Sequence, residues 1–369
     1  MYIRKGTLEW QEVPDVPLVE PSDVIVRPFV AARCDNDIAY LHFDVNALLR
    51  IGIARGTVDP AVVHYLGESP FRGPFPFGHE CIAEVIECGE DVRRFRPMDK
   101  VVVPFQISCG QCRLCRGRST GTCSAVPDNS LFGVGQTGGD WGGVVADRLR
   151  VPFADHMLVH FPQHLDPVSF ASLSDNIACG WQAVVPALQA KPGASVLVVG
   201  GGAKSIALYA VAAALFQGAE RVDYMDTNAD TLAPQRFEIA AALGAQIVES
   251  SDMSQVREQY AVSVDGTMIK QGLHFAVRSL EPDGVCSSPS VYYDKELPMP
   301  LFEMAMKKAT LRLGFGNALE SIREILARPN VQDLAPEKVT TVCAAWSEAA
   351  SAFLESSTKV VVHRDPLAA

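Results

Sequence analysis

Residues 195–226 read SVLVVGGGAKSIALYAVAAALFQGAERVDYMD: an apolar strand, a glycine turn, an alanine-rich helix and a second strand. AAALGAQIVES (240–250) repeats the helix-to-strand step, and VSVDGT (262–267) and DGVCSSPS (283–290) read as later strands. Alternating strands and helices predict a parallel, doubly wound sheet. In such a sheet Gly200, Gly201 and Gly202 let backbone amides approach a pyrophosphate, which then sits at a helix N-terminus. The run Gly200, Gly201, Gly202, Ala203, Lys204, Ser205 has serine where the usual G-x-G-x-x-G pattern ends in glycine. A serine is small enough for close helix packing, and its hydroxyl can bond phosphate. Asp226 closes the second strand, where an acid accepts bonds from an adenosine ribose and repels a 2′-phosphate. Thr227 and Asn228 follow it, with no Arg or Lys close by in sequence, so NAD is expected over NADP. A flavodoxin-like sheet with an ordinary tight turn is the other reading.

Upstream the texture changes. SDVIVRPFVAARC (22–34), ECIAEVIECG (80–89) and DKVVVPF (99–105) are short β-branched runs broken by turns, which predict a small antiparallel, barrel-like unit. SCGQCRLCRGRSTGTC (108–123) then sets Cys109, Cys112, Cys115 and Cys123 at the spacing C-x2-C-x2-C-x7-C. Four thiolates suit a closed, tetrahedral structural zinc. Gly110 lets the loop turn, and Arg113, Arg116 and Arg118 are expected to offset the thiolate charge. A fortuitous cysteine-rich loop or an iron–sulfur site is the alternative.

Composition sets the outer limits. The chain has 369 residues, 48% of them apolar and 20% charged, which suits two globular domains. No apolar run approaches the ~20 residues that span a bilayer. The first residues lack a signal-peptide core, so a cytoplasmic protein is expected. In a reducing compartment clustered cysteines favour metal over disulfides. A net charge of −11 argues against a nucleic-acid surface.

Other metal-ligating residues are scattered. Cys34 follows a strand, His79 and Glu80 sit in PFPFGHECIAEV (74–85), and Asp175 lies in SLSDNIACGW (172–181). One thiolate, one imidazole and one carboxylate leave an open zinc position for a substrate oxygen. Taken singly, Cys34 also reads as a buried apolar cysteine, His79 as a core histidine and Asp175 as a helix N-cap.

Their order resembles the zinc-dependent medium-chain dehydrogenase/reductase family, the alcohol dehydrogenase superfamily, over nearly the whole chain. The resemblance implies a GroES-like β-barrel catalytic domain (1–176, with the zinc lobe at 108–123). A Rossmann NAD-binding domain (177–314) and a C-terminal return to the first domain (315–369) follow. It implies Cys34, His79 and Asp175 as catalytic zinc ligands, with Glu80 a neighbour that can approach the metal. Aspartate as third ligand is most similar to the formaldehyde dehydrogenase and polyol dehydrogenase-like branches. Two zinc ions per chain, NAD and a small alcohol or carbonyl substrate are thereby expected, in a homodimer or homotetramer. The implied chemistry is reversible hydride transfer of the EC 1.1.1.- type.

Departures from the family pattern are as informative. The Ser or Thr that usually relays the substrate proton is Asn36, and a histidine often found five residues after the cysteine is Ala39. An amide hydrogen-bonds a substrate oxygen but carries protons poorly. Asp35, Tyr40 and His42 are the substitutes within reach in sequence. A redox-silent NAD- and zinc-binding protein is therefore the runner-up, and a zinc-lobe interaction module a third class. The G-H-E-x-x-G motif ends in Ala83. The stretch 43–76 is longer than the family pattern, and DVNALLRIGIARG (44–56) and DPAVVHYLG (59–67) predict two short helices capped by Asp44 and Asp59. Val45, Leu48 and Leu49 share a face of the first. These helices either cap a pocket, build an oligomer contact or form a surface excursion. Apolar residues around Trp141 are expected to shape the pocket. Lys359 aligns loosely with a basic family position near the zinc-site glutamate, though a surface lysine on a strand is the commoner case.

Overall fold

In the computed structural model, residues 1–227, 230–314 and 316–367 are described. Asn228 lies outside them. The strands form two large sheets and a small one. The first large sheet runs in the order Val342–Ala345, Val360–His363, Val24–Ala32, Glu80–Cys88, Lys100–Val102, Val159–His160, with Leu149–Val151 also on Val24–Ala32. It is antiparallel except for its outermost pair, Val342–Ala345 with Val360–His363. The second is a six-stranded parallel sheet in the order Gln246–Val248, Val222–Asp226, Val196–Gly200, Tyr260–Asp265, Leu280–Ser288, Thr310–Leu313. Numbered within that sheet the order is 3-2-1-4-5-6, the dinucleotide-binding topology.

Register in the first sheet assembles the site. Ala32 pairs with Glu80, and Ala32 also pairs with Val361. Both pairings are antiparallel, so Cys34, His79 and Lys359 emerge at one end of three adjacent strands. The C-terminal strand Val360–His363 is thus a structural neighbour of Val24–Ala32, more than 300 residues earlier in the chain.

The parallel sheet is covered by helices whose small residues permit close packing. Helix Lys204–Phe216 is buried from Ser205 to Ala214. It crosses helix Asn176–Ala190 at Gly180, where a Cβ would lie 2.7 Å from the Ala210 nitrogen. A larger residue at 180 would push the two helices apart and displace the loop that carries Asp175.

The insertion forms helices Val45–Ala54 and Ala61–Leu66. Asp44 caps the first, its Oδ1 accepting from the Ala47 amide at 2.9 Å. Asp59 accepts from the Ala61 amide at 2.9 Å, so the second helix begins one residue later than Pro60 suggested. Leu48 is 54% exposed, and Val45 and Leu49 are only half-buried, so the three do not form a buried face. Between the helices, Val58 bridges Asp294 through two hydrogen bonds: Asp59 N donates to Tyr293 O at 2.8 Å, and Lys295 N donates to Thr57 O at 3.2 Å. The insertion therefore ties the barrel side of the molecule to the segment that follows strand Leu280–Ser288.

Candidate metal and nucleotide site

Donor atoms of Cys34, His79, Glu80 and Asp175 all lie within 4.8 Å of one another, and all four residues are buried. Cys34 and the His79–Glu80 pair come from the paired strand ends. Asp175 immediately precedes helix Asn176–Ala190. His79 Nε2 and Asp175 Oδ2 are 3.2 Å apart, and His79 Nδ1 is 3.5 Å from Asp37 Oδ1. Burial disfavours the imidazolium, but the charges of Asp37 and Asp175 outweigh it and bring the His79 pKa up to about 9. So many donors facing one point form the kind of set a dication neutralises. A carboxylate behind the ring nitrogen is the usual support of a metal-ligating histidine. Asp37 also accepts from the Cys34 amide at 3.0 Å, so one side chain braces two of the candidate ligands.

Glu80 is also engaged by a lysine. Lys359 Nζ, fully buried, donates to both Glu80 oxygens at 2.9 and 2.7 Å and to Arg33 O at 3.0 Å. Burial raises the Glu80 pKa to about 7 against the opposing pull of Lys359. The surface-lysine reading of Lys359 is thereby overturned.

Helix Asn176–Ala190 links this cluster to the nucleotide turn. Cys34 Sγ donates to Asn176 Oδ1 at 3.4 Å, and Asn176 Nδ2 donates to Ser205 Oγ at 2.8 Å. Cys179, one helical turn on, donates to Asp175 Oδ1 at 3.2 Å. A cavity of about 150 Å³ opens beside it, lined by Gln182, Ser287, Ser288, Arg312 and Gly316 among others. It lies at the C-terminal ends of the strands, where ligands of this fold bind. Trp141 does not line it; its indole N–H donates to Gly138 O at 2.9 Å and the ring packs on the barrel core.

The turn itself fits a dinucleotide in its spacing. A Cβ at Gly201 would lie 2.9 Å from Thr267 Cα. Its amides, however, are already engaged: Gly202 N donates to Thr267 O at 3.2 Å and Ala203 N to Gly266 O at 2.9 Å. Ser205 donates to Asp35 through its amide at 2.8 Å and its hydroxyl at 3.0 Å. Lys204 pairs with Asp230 at 3.6 Å. At the end of the second strand, Asp226 is fully buried. Arg236 grips both its oxygens at 2.7 and 2.8 Å, and Tyr224 adds a third donor at 2.7 Å. The expectation that no basic residue stands near Asp226 is thus corrected: Arg236 is ten residues on, but the next helix turns it back.

Asn36 is exposed at the start of helix Asp37–His42 and its side chain has no hydrogen bond among the described residues. Tyr40 stacks on Phe71, 4.7 Å between centroids, and His42 is exposed.

The four-cysteine lobe gathers Cys109, Cys112, Cys115 and Cys123, again with donor atoms within 4.8 Å. Amides of Gln111 and Cys112 donate to Cys109 Sγ at 3.4 and 3.3 Å, and that of Cys115 to Cys112 Sγ at 3.4 Å. Gly110 at φ +76° makes the turn that aims them. Arg118 does not offset thiolate charge: its Nε bonds Glu320 at 2.7 Å and docks the lobe on helix Ala318–Leu326.

Residues 20–163 match the model of the alcohol dehydrogenase GroES-like domain. A protein described as a probable zinc-binding alcohol dehydrogenase of Mycobacterium tuberculosis is 29% identical over 313 residues, covering 84% of this chain and 72% of that protein. A glutathione-independent formaldehyde dehydrogenase of Pseudomonas aeruginosa is 33% identical over 191 residues, half of this chain and 46% of that protein's length. The solved alcohol dehydrogenase of Thermus sp. ATN1 superposes with a TM-score of 0.81 at 25% identity, covering 98% of both chains.

Proposed function

We propose that this chain is a member of the zinc-dependent medium-chain dehydrogenase/reductase superfamily and carries out reversible hydride transfer between a small alcohol or carbonyl compound and NAD, a reading supported by its likeness to zinc-type alcohol dehydrogenases. The observation that carries this reading is the buried convergence of Cys34, His79 and Asp175 beside a cavity at the C-terminal ends of the parallel sheet. In this reading those three side chains hold the catalytic zinc, and the four lobe cysteines hold a second, structural one. When bound, zinc supplies Lewis-acid polarisation of the substrate oxygen and NAD the hydride acceptor.

The chain's own residues do the rest. Asp37 orients His79 through Nδ1 and fixes the Cys34 loop through its amide. Lys359 holds both oxygens of Glu80. Cys179 and Asn176 hold Asp175 and Cys34 against the nucleotide turn. Asn36, an amide, carries the substrate hydroxyl proton poorly where the family has a Ser or Thr. The redox-silent reading drawn from Asn36 has nothing further in its favour. Domain limits of 1–176, 177–314 and 315–369 suit this division of labour, and the pairing of Val360–His363 on Val24–Ala32 supports the last of them.

NAD is proposed over NADP because Arg236 is spoken for. To bind a 2′-phosphate it would have to give up its two bonds to the buried Asp226 carboxylate, which is unfavourable. The protein is expected to bind NADH at least about tenfold more tightly than NADPH, about 1.4 kcal/mol. Asp226→Asn, which loosens the grip on Arg236, should narrow that ratio in a fluorescence titration. Tighter native binding of NADPH would overturn the preference.

A panel of alcohols and aldehydes followed by NADH absorbance tests the reaction. Elemental analysis of protein purified without chelator tests the metals, with about two zinc per chain expected. Cys112→Ser should lower that to about one and impair folding, because the metal closes the lobe. Zinc near zero in the unaltered protein would sink both sites.

A further inference from the structure

The helix Lys204–Phe216 has no cap of its own. Ala203 stands at its N-cap position and offers no side-chain hydrogen bond. The orphan amides of its first turn are answered instead by Asp35, a residue of the barrel side 170 positions earlier. Asp35 Oδ2 accepts from Ser205 N at 2.8 Å and from Ile206 N at 3.4 Å, and Oδ1 accepts from Ser205 Oγ at 3.0 Å. A carboxylate at a helix N-terminus takes the same amides and the same positive dipole end that a dinucleotide's diphosphate uses. The two anions repel each other and want the same donors.

We propose that Asp35 is an internal occupant of the cofactor's diphosphate site, which the cofactor displaces on binding, so that Asp35 sets cofactor affinity. The proposal rests on the reading that this chain binds a nicotinamide dinucleotide. The displacement is transmitted to the metal cluster. Asp35 directly follows Cys34, and Ser205, its partner, accepts from Asn176 Nδ2, whose Oδ1 lies 3.4 Å from Cys34 Sγ. Leaving the helix N-terminus frees the backbone on one side of a candidate zinc ligand while the diphosphate takes over the same helix end. Cofactor affinity and the set of the Cys34 loop are then two readings of one contact, and the coupling is reciprocal.

The test is a fluorescence titration of the full-length, zinc-loaded protein and two variants, Asp35→Ala and Asp35→Asn, with NADH and separately with adenosine. Asp35→Ala is expected to tighten NADH binding by about tenfold or more, as removal of a charged competitor from a helix end implies. Asp35→Asn keeps the side-chain shape and loses the charge, and is expected to tighten it by a smaller factor. Adenosine, which lacks the diphosphate, should bind all three proteins alike. Zinc content and the thermal midpoint report whether the variants fold; if the alanine protein does not, the asparagine protein decides. NADH binding unchanged or weakened by loss of the charge overturns the proposal, as does an equal gain for adenosine. Failure of the unaltered protein and both variants to bind either NADH or NADPH instead overturns the cofactor reading beneath it.

Discussion

Asp175→Ala is expected to cost about one zinc per chain and to lower turnover by about 10³-fold or more, the several kcal/mol that Lewis-acid assistance contributes. Asp175 is the donor that comes from the nucleotide side of the cluster, and its two oxygens meet His79 on one side and Cys179 on the other. Without it, His79 Nε2 loses its 3.2 Å partner, and the start of helix Asn176–Ala190 loses one of its links to the strand ends. The measurement is paired: elemental analysis, and NADH-coupled rate with whichever substrate the panel identifies. Cys112→Ser makes the control, since it should remove the other zinc and act through stability. A metal content unchanged in Asp175→Ala would remove aspartate from the ligand set.

The second large effect is expected at Lys359→Met. Lys359 and Glu80 are both fully buried and meet through two hydrogen bonds. Truncating one partner of such a pair leaves a charge in the interior and typically costs about 3–5 kcal/mol. The Arg33 carbonyl would also lose its donor. Adding Glu80→Gln to the same protein removes the stranded charge, and the double variant should regain much of the loss. Denaturant midpoints of the four proteins close the cycle. Equal loss in the single and double variants would mean that packing of the lysine stem, and not its charge, is what matters.

What the sequence made legible follows the range of each interaction. The cysteine lobe was readable because its four ligands sit within fifteen residues and their spacing alone limits the geometry. The glycine turn was readable because strand, turn and helix are consecutive. Cys34, His79 and Asp175 were not legible singly. Their convergence depends on the Ala32–Glu80 register, which no local pattern encodes, and only their order in the chain pointed to it. Asp37 was missed although it was within reach: an acid three residues after a ligand cysteine, at the first turn of a helix, is a local signal. Arg236 was missed for a different reason. The residues next to Asp226 in sequence carry no positive charge, and a helix that doubles back brings a residue ten positions away onto it. Asp35 carried no signal at all toward Ser205, because its partner lies 170 residues further along the chain. Lys359 inverted the usual expectation for a lysine on a strand, since its strand is the one neighbour of Val24–Ala32 that arrives from the chain's far end.

The tie between the insertion and residues 293–295 has a mechanical consequence. Two backbone hydrogen bonds, which together make the Val58–Asp294 bridge, fasten a segment rooted in the barrel to one rooted in the parallel sheet. A cleft between two such halves would ordinarily swing about its hinge like a jaw. Here the jaw carries a buckle across its mouth. Each hydrogen bond in it is worth about 0.5–1.5 kcal/mol, too little to forbid motion but enough to choose its path. Opening must either undo the buckle or bend the strap made of helices Val45–Ala54 and Ala61–Leu66 along with the moving half. The length of the strap thereby limits how far the two segments can separate while the bridge holds.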